Sequence, residues 1–90
     1  MDEALQPQIE EIVRRAVETT NFWVKNHQGE IPPVFIVSEW QMRLLRMSNK
    51  GHDVDVTRKP NTLRGIPLLV AGDDWKPTPE LRYTDLRDRV

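Results

Sequence analysis

The chain has 90 residues, no cysteine and a formal net charge of −1, with 38% hydrophobic and 30% charged residues. A chain of this length builds one domain with one small core and little room for an enclosed pocket, which disfavours an independent enzyme. The lack of cysteine excludes disulfides and thiolate metal sites. An acidic start without an apolar stretch, and no apolar run of about 18 residues, predict a soluble, cytoplasmic protein without membrane contact.

Apolar residues spaced three and four apart predict a long helix over residues 4–26. Its stripe starts at Leu5, and Pro7 fits only within its first turn. The stretch from Asn26 to Gly29 ends it. A helix of about 20 residues is roughly 30 Å long. We therefore expect its far end to project from so small a domain or to pack on another chain.

The next segment predicts a strand that runs directly into a helix. Residues 34–37 are apolar, follow two prolines and are typical of a buried strand. Ser38 and Gln41 then have the spacing of a capping box, which predicts a second helix from Glu39 to about Asn49. Its expected buried face is Trp40, Leu44 and Met47, widened by Met42 and Leu45.

The remaining apolar segments predict two more strands. Val54 and Val56 alternate with polar residues, as in a half-exposed strand, and a third strand spans Leu63 to Ala71. We therefore expect one small α+β domain over residues 1–74, in the order α-β-α-β-β. A short sheet of about three strands would pack on the long N-terminal helix. Residues 75–90 are expected to form a C-terminal arm, either docked or flexible.

The charges are unevenly distributed along the chain. Residues 1–39 carry a net charge of −4, and residues 40–67 carry +4. The bases of the second segment are Arg43, Arg46, Lys50, Arg58, Lys59 and Arg64. This distribution predicts a face that binds anions or nucleic acid. The same pattern also fits a solvated surface, or oppositely charged patches that meet between copies of the chain.

Few residues are candidates for catalysis or metal binding. His52, Asp53 and Asp55, with Asp73 and Asp74, have the right ligand types, but their spacing matches no known metal cage. The cap role of Ser38 already explains the best-placed hydroxyl. We therefore predict no catalytic residue, no metal site and no cofactor.

The tryptophans are the candidate interaction residues. Trp23 and Trp40 fit the apolar stripes of their helices, whereas Trp75 has no local core to join. Aromatic anchors often dominate protein interfaces. We therefore take Trp75 and Trp23 as candidates for contact with a partner.

Two segments resemble a local pattern of tailed-phage capsid-type proteins. Residues 34–46 match its strand–Ser–helix part, and residues 61–74, with Leu-Arg-Gly-Ile-Pro, match its following strand. The resemblance implies a small phage-encoded protein, in the host cytoplasm or the virion, and carries over no site. We predict a non-catalytic protein-interaction or structural module that forms a homo-oligomer or binds another protein. The alternative is an anion or nucleic-acid binder that uses the basic residues 43–64.

Overall fold

The computed structural model describes residues 5–47, 54–72, 74–76 and 78–87. In chain order the elements are α1 (Gln6–Asn26), β1 (Phe35–Val37), α2 (Glu39–Met47), β2 (Val54–Asp55), β3 (Thr62–Leu63), β4 (Ile66–Val70) and β5 (Thr84–Asp85). The prediction of a small α+β domain is confirmed. The predicted order and the three-stranded sheet match only roughly, because the sheet has five strands.

α1 ends at Asn26, as the apolar spacing predicts. Pro7 lies in its first turn, where a missing N–H removes no helical hydrogen bond. Beyond the helix, Gln28 and Gly29 both have positive φ, and the Gly29 N–H donates to the Val24 carbonyl at 3.0 Å. This left-handed turn stops the helix and sends the chain back towards β1.

The sheet is mixed and has the strand order β2-β3-β4-β1-β5. β1 pairs in parallel with β4 on one side and with β5 on the other. β3 pairs in antiparallel fashion with β2 on one side and with β4 on the other. Because α2 follows β1 after one residue, it begins at the edge of the sheet where the parallel strands end.

The third predicted strand, Leu63 to Ala71, is corrected to a β-hairpin. β3 and β4 are joined by a two-residue turn at Arg64 and Gly65. These residues have φ of +54° and +82°, the left-handed conformation that a tight hairpin turn requires. Gly65 therefore marks a reversal of the chain, where the sequence suggested an interrupted strand.

β5 is the other strand that the sequence did not predict, and it lies within residues 75–90. It pairs with β1, and the Leu86 N–H extends this pairing by donating to the Ile36 carbonyl at 2.8 Å. Leu86 is only 1% exposed and joins the core. A two-residue strand is too short to show the alternation by which strands are recognised in a sequence.

α1 and α2 pack around one hydrophobic core. Phe35 and Val37 of β1 belong to it, whereas Ile36 lies on the other face of the sheet by strand alternation. The other members are Ile9, Ile12, Ala16, Met42, Leu44, Leu45, Val54, Leu63, Ile66, Leu68 and Leu86. The buried residues of α1 end at Ala16, and Phe22 is 72% exposed. The far end of α1 therefore contributes little to the core.

Candidate protein-interaction surface

The junction between β1 and α2 fixes how α2 faces solvent. Ser38 and Gln41 form the predicted capping box: the Gln41 N–H donates to Ser38 Oγ at 3.1 Å, and the Ser38 N–H donates to Gln41 Oε1 at 2.9 Å. Gln41 Nε2 also donates to the Leu86 carbonyl at 2.6 Å, and Arg15 Nη1 donates to the same carbonyl at 3.0 Å. One carbonyl next to β5 thus links both helices.

The exposed face of α2 differs from the predicted one. Trp40 and Met47, expected in the core, are 50% and 45% exposed, whereas Gln41 is buried beside Leu44 and Leu45. Leu44, Met42 and Leu45, three of the five residues expected on the buried face, are buried as predicted, so the face is rotated away from Trp40 and Met47 and towards Gln41. The inward bonds of Gln41 hold α2 in this rotation. Trp40 therefore lies at the surface.

A groove of about 240 Å³ lies between α1 and α2 beside Trp40. Its lining residues are Pro7, Gln8, Glu11, Ile12, Arg15, Trp40, Gln41 and Leu44. Trp40 Nε1 donates to Gln8 Oε1 at 3.4 Å, a long hydrogen bond across the groove. The indole thus forms one wall of a concave site that combines apolar and polar lining.

Two further depressions lie on the other side of α2. One is lined by Ser38, Glu39, Trp40, Val70, Ala71 and Gly72. The next is lined by Glu39, Met42, Arg43, Arg46 and Val70. Trp40 therefore separates two concave regions, and Val70, which is 40% exposed, continues the apolar area. We call the exposed side chains of Trp40, Arg43, Arg46, Met47 and Val70 the Trp40 surface.

The predicted basic residues are placed at different parts of the sheet. Arg43 and Arg46 lie beside Val70, at the end of β4. Arg64 lies in the turn that precedes β4 and lines a depression with Asp55. With about 3.3 Å per residue, the length of β4 separates Arg64 from Val70 by roughly 20 Å.

The other basic residues lie away from α2 or outside the described residues. Arg58 and Lys59 are exposed in the connection between β2 and β3, and Lys50 lies outside the described residues. The side chains of Arg43 and Arg46 make no hydrogen bond or ion pair with any residue that the structure describes. Their two positive charges are therefore available beside Trp40.

Acidic and basic side chains alternate on the outer side of α1, next to the groove. Arg14 bonds both Glu11 and Glu18, the latter at 2.6 Å, and Arg15 lies 3.5 Å from Glu11. Hydrogen bonds from Arg14 hold the pKa of the Glu11 carboxyl below its usual value. Glu11 is thus ionised at neutral pH at the rim of the groove.

Trp23, a predicted interaction residue, is engaged within the chain. Its ring stacks on His27 with a centroid distance of 3.8 Å and an angle of 7° between the planes. The Arg82 guanidinium lies 5.6 Å from the ring centroid and forms a 3.0 Å ion pair with Glu30. These contacts tie the end of α1 to the segment before β5.

Trp75, the other predicted interaction residue, also has intramolecular contacts. It meets Tyr83 edge to face at 5.7 Å, and the Arg87 guanidinium lies 5.5 Å from its ring centroid. The Arg87 side chain is 3% exposed, pairs with Asp85 at 2.8 Å and donates to the Gly72 carbonyl at 2.5 Å. We call Trp75, Tyr83, Asp85 and Arg87 the C-terminal clamp.

The described part of the chain offers neither a cluster of metal ligands nor a membrane-spanning helix. It contains no group of three or more His, Cys, Asp or Glu side chains that could hold a metal ion. His52, Asp53 and Asp73 lie outside it. In residues 5–47, 54–72, 74–76 and 78–87, no helix combines the length and the apolar character needed to cross a bilayer.

No protein-family model, curated protein or solved structure matches this chain. The residue that sequence reasoning missed is Trp40. Its i+4 and i+7 neighbours, Leu44 and Met47, suggested a core position. The sequence feature that could have indicated its exposure is the pair Arg43 and Arg46, which puts charged residues on the same side of α2 as Trp40.

Proposed function

We propose that this chain is a non-catalytic protein-interaction module that binds through the Trp40 surface. The observation that supports this most is a half-exposed tryptophan between two concave regions, beside two arginines without partners among the described residues. A large aromatic side chain flanked by depressions and arginines has the composition of an interface centre.

The polar groups around Trp40 support binding rather than catalysis. Ser38 and Gln41 are used in the helix cap, and Arg15 donates to the Leu86 carbonyl. A nucleophile would need an adjacent base that a third group orients. The polar residues described around Trp40 make no such arrangement. The predicted resemblance to phage proteins stays a prediction.

Nucleic-acid binding is the second candidate function. It is favoured by Arg43 and Arg46, which are three residues apart on one exposed side of α2. It is disfavoured by Glu39 next to them and by the distance to Arg64. Phosphate contacts would give an affinity that falls steeply with salt concentration. Binding of a 20-base-pair DNA and a single-stranded RNA, measured between low and physiological salt, tests this function.

Site-specific photo-cross-linking tests the protein-interaction proposal. A benzophenone amino acid replaces Met47, which is half exposed and whose side chain forms no hydrogen bond with the described residues. The matched control carries the same group at Lys59, which is exposed in the connection between β2 and β3. Irradiation of the full chain in its native cells is expected to give a discrete protein adduct from position 47 alone.

The contact surface is then checked with charge variants in the same cross-linking experiment. R43E/R46E should remove the adduct, and R58E/K59E, with the same change in net charge, should leave it. Equal adducts from positions 47 and 59, or an adduct that R43E/R46E does not reduce, would rule out binding through the Trp40 surface.

A further inference from the structure

We infer that the Trp40 surface binds an extended acidic segment of another protein, which adds a strand to β4 beyond the point where β4 pairs with β3. This inference rests on the proposed function and names the kind of partner. It is carried by the unpaired backbone of Val70, by the exposure of β4 at the same place, and by Arg43 and Arg46 beside it.

The backbone of Val70 points away from β1. The Ala71 N–H donates to the Val37 carbonyl at 2.9 Å, so every second residue of β4, counting back from Ala71, bonds to β1. Leu68 and Val70 face the opposite side, where the Leu68 N–H donates to the Asn61 carbonyl at 2.8 Å. The Val70 N–H and carbonyl form no hydrogen bond with the described residues, which leaves a donor and an acceptor on this side.

The exposure of β4 changes where its pairing with β3 stops. β3 pairs only with Ile66 and Pro67, and no strand of the described residues pairs with Leu69 or Val70 on that side. Leu69 and Val70 lie on opposite faces of the sheet by strand alternation, yet each is 40% exposed. A missing cover on one face would expose only one of them, whereas a missing neighbouring strand exposes both. We call this side of Leu69 and Val70 the open edge, and such an edge is a template for an added strand.

The depression next to the open edge determines the charge of the strand that fits there. It has a volume of about 360 Å³ and is lined by Glu39, Met42, Arg43, Arg46 and Val70. Glu39, Arg43 and Arg46 lie on one line of α2, about 10 Å long, with the acid at its start. Neither arginine side chain is paired with Glu39 or with any other residue that the structure describes. The part of the depression beyond Glu39 is therefore positively charged.

An added strand would present its alternate side chains to two different surroundings. The Val70 side chain lines the depression, so residues of the added strand on that face would meet Arg43 and Arg46. Residues on the other face would lie beside Leu69. Carboxylates suit the first position, because arginine binds them in bidentate pairs, and apolar side chains suit the second. The expected ligand is a segment in which acidic and apolar residues alternate, held by main-chain hydrogen bonds.

Amide hydrogen exchange of the full chain, followed residue by residue by NMR, tests the inference. The probe is the acetylated and amidated peptide Glu-Val-Glu-Val-Glu, and Lys-Val-Lys-Val-Lys is the matched control. In the free chain, the Val70 amide should exchange at least about tenfold faster than the amides of Leu69 and Ala71, which bond to β1. Saturation with the acidic peptide should slow Val70 exchange at least about tenfold, and the lysine peptide should not slow it.

Further controls separate main-chain pairing from attraction between charges. The acidic peptide with an N-methyl group on every residue keeps its carboxylates but cannot pair as a strand, so it should not slow Val70 exchange. R43E/R46E should lose the effect of the acidic peptide, and R58E/K59E, with the same change in net charge, should keep it. Circular dichroism confirms folding, and R43Q/R46Q replaces R43E/R46E if that variant unfolds.

Val70 exchange as slow as that of Leu69 in the free chain, or equal effects of the acidic and lysine peptides, would overturn the inference. So would an effect of the acidic peptide that persists in R43E/R46E. Slower Val70 exchange on concentrating the chain alone would assign the open edge to a second copy and reject a segment of another protein. A discrete cross-link from position 47, with no effect of the peptide on Val70, would leave the proposed function standing and reject this inference alone.

Discussion

The side-chain amide of Gln41 replaces a backbone hydrogen bond between Ser38, which follows β1, and Leu86, which follows β5. The Leu86 N–H donates to the Ile36 carbonyl, so a continued parallel ladder would join the Leu86 carbonyl to the Ser38 N–H. Gln41 lies between these two groups instead, accepting from Ser38 at 2.9 Å and donating to Leu86 at 2.6 Å. One buried amide thus caps α2 and holds the C-terminal segment.

Replacing Gln41 with Glu should destabilise the fold by about 1–3 kcal/mol, because a buried carboxylate oxygen would face the Leu86 carbonyl without a proton to donate. Equilibrium urea unfolding measures the change. Gln8→Glu is the matched control at an exposed position and should change the free energy of unfolding by less than about 0.5 kcal/mol. Equal effects of the two substitutions would contradict the bridging role of Gln41.

Ser38→Ala should destabilise by about 1 kcal/mol, because it removes the oxygen that accepts from the Gln41 N–H. Ser38→Thr keeps an acceptor in the same place and serves as the control. Chemical denaturation of the three proteins is sufficient. A loss of only a few tenths of a kcal/mol for the alanine variant would mean that this cap contributes little to the start of α2.

Arg87→Met should lower the free energy of unfolding by about 2 kcal/mol. This loss is smaller than the loss expected for a fully buried ion pair, because the Asp85 side chain is 21% exposed. It should also increase hydrogen exchange of the Leu86 amide more than that of the Leu68 amide in β4. Arg82→Met, which breaks the exposed pair with Glu30, is the control. Equal exchange at Leu86 in all three proteins would show that the C-terminal clamp does not hold β5.

The pKa of Asp55 should lie below the usual value of an aspartate. The Thr57 hydroxyl donates to Asp55 Oδ1 at 2.6 Å and the Thr57 N–H at 2.9 Å, and both bonds favour the ionised carboxyl. A lowered pKa contributes stability above the unfolded-state pKa, and this contribution is lost as the pH falls through the folded-state pKa.

Thr57→Val removes the hydroxyl donor, so the Asp55 pKa should rise towards its usual value. Carbon-detected NMR titration of the carboxyl measures this directly, and Thr62→Val is a control on the neighbouring strand. An unchanged Asp55 titration in Thr57→Val would show that the hydroxyl does not set the shift.

The sequence predicted those elements that are determined by residues close together in the chain. The apolar spacing of α1 and the Ser38–Gln41 cap are both determined by residues within a few positions of each other. The rotation of α2 depends on a contact between Gln41 and Leu86, 45 residues apart, and no short window contains it. For the same reason Trp40 was predicted in the core and lies half exposed.

The sheet shows the same limit. β5 has two residues, and its place beside β1 depends on Leu86 reaching the core and on the Arg87 contacts of the C-terminal clamp. These contacts join parts of the chain that the sequence alone does not bring together. The candidate residues Trp23 and Trp75 were singled out as aromatic, but the side chains that contact their rings could be identified only in three dimensions.

Fluorine NMR of the chain labelled with 5-fluorotryptophan tests the central claim most directly, because each of the three tryptophans reports on a different part of the molecule. Single Trp→Phe variants assign the resonances. When the purified chain is transferred into a lysate of its native cells, the Trp40 resonance should shift or broaden through contact with a partner, while the Trp23 and Trp75 resonances stay in place. A Trp40 resonance that does not change, or a shift confined to Trp23 or Trp75, would contradict the account.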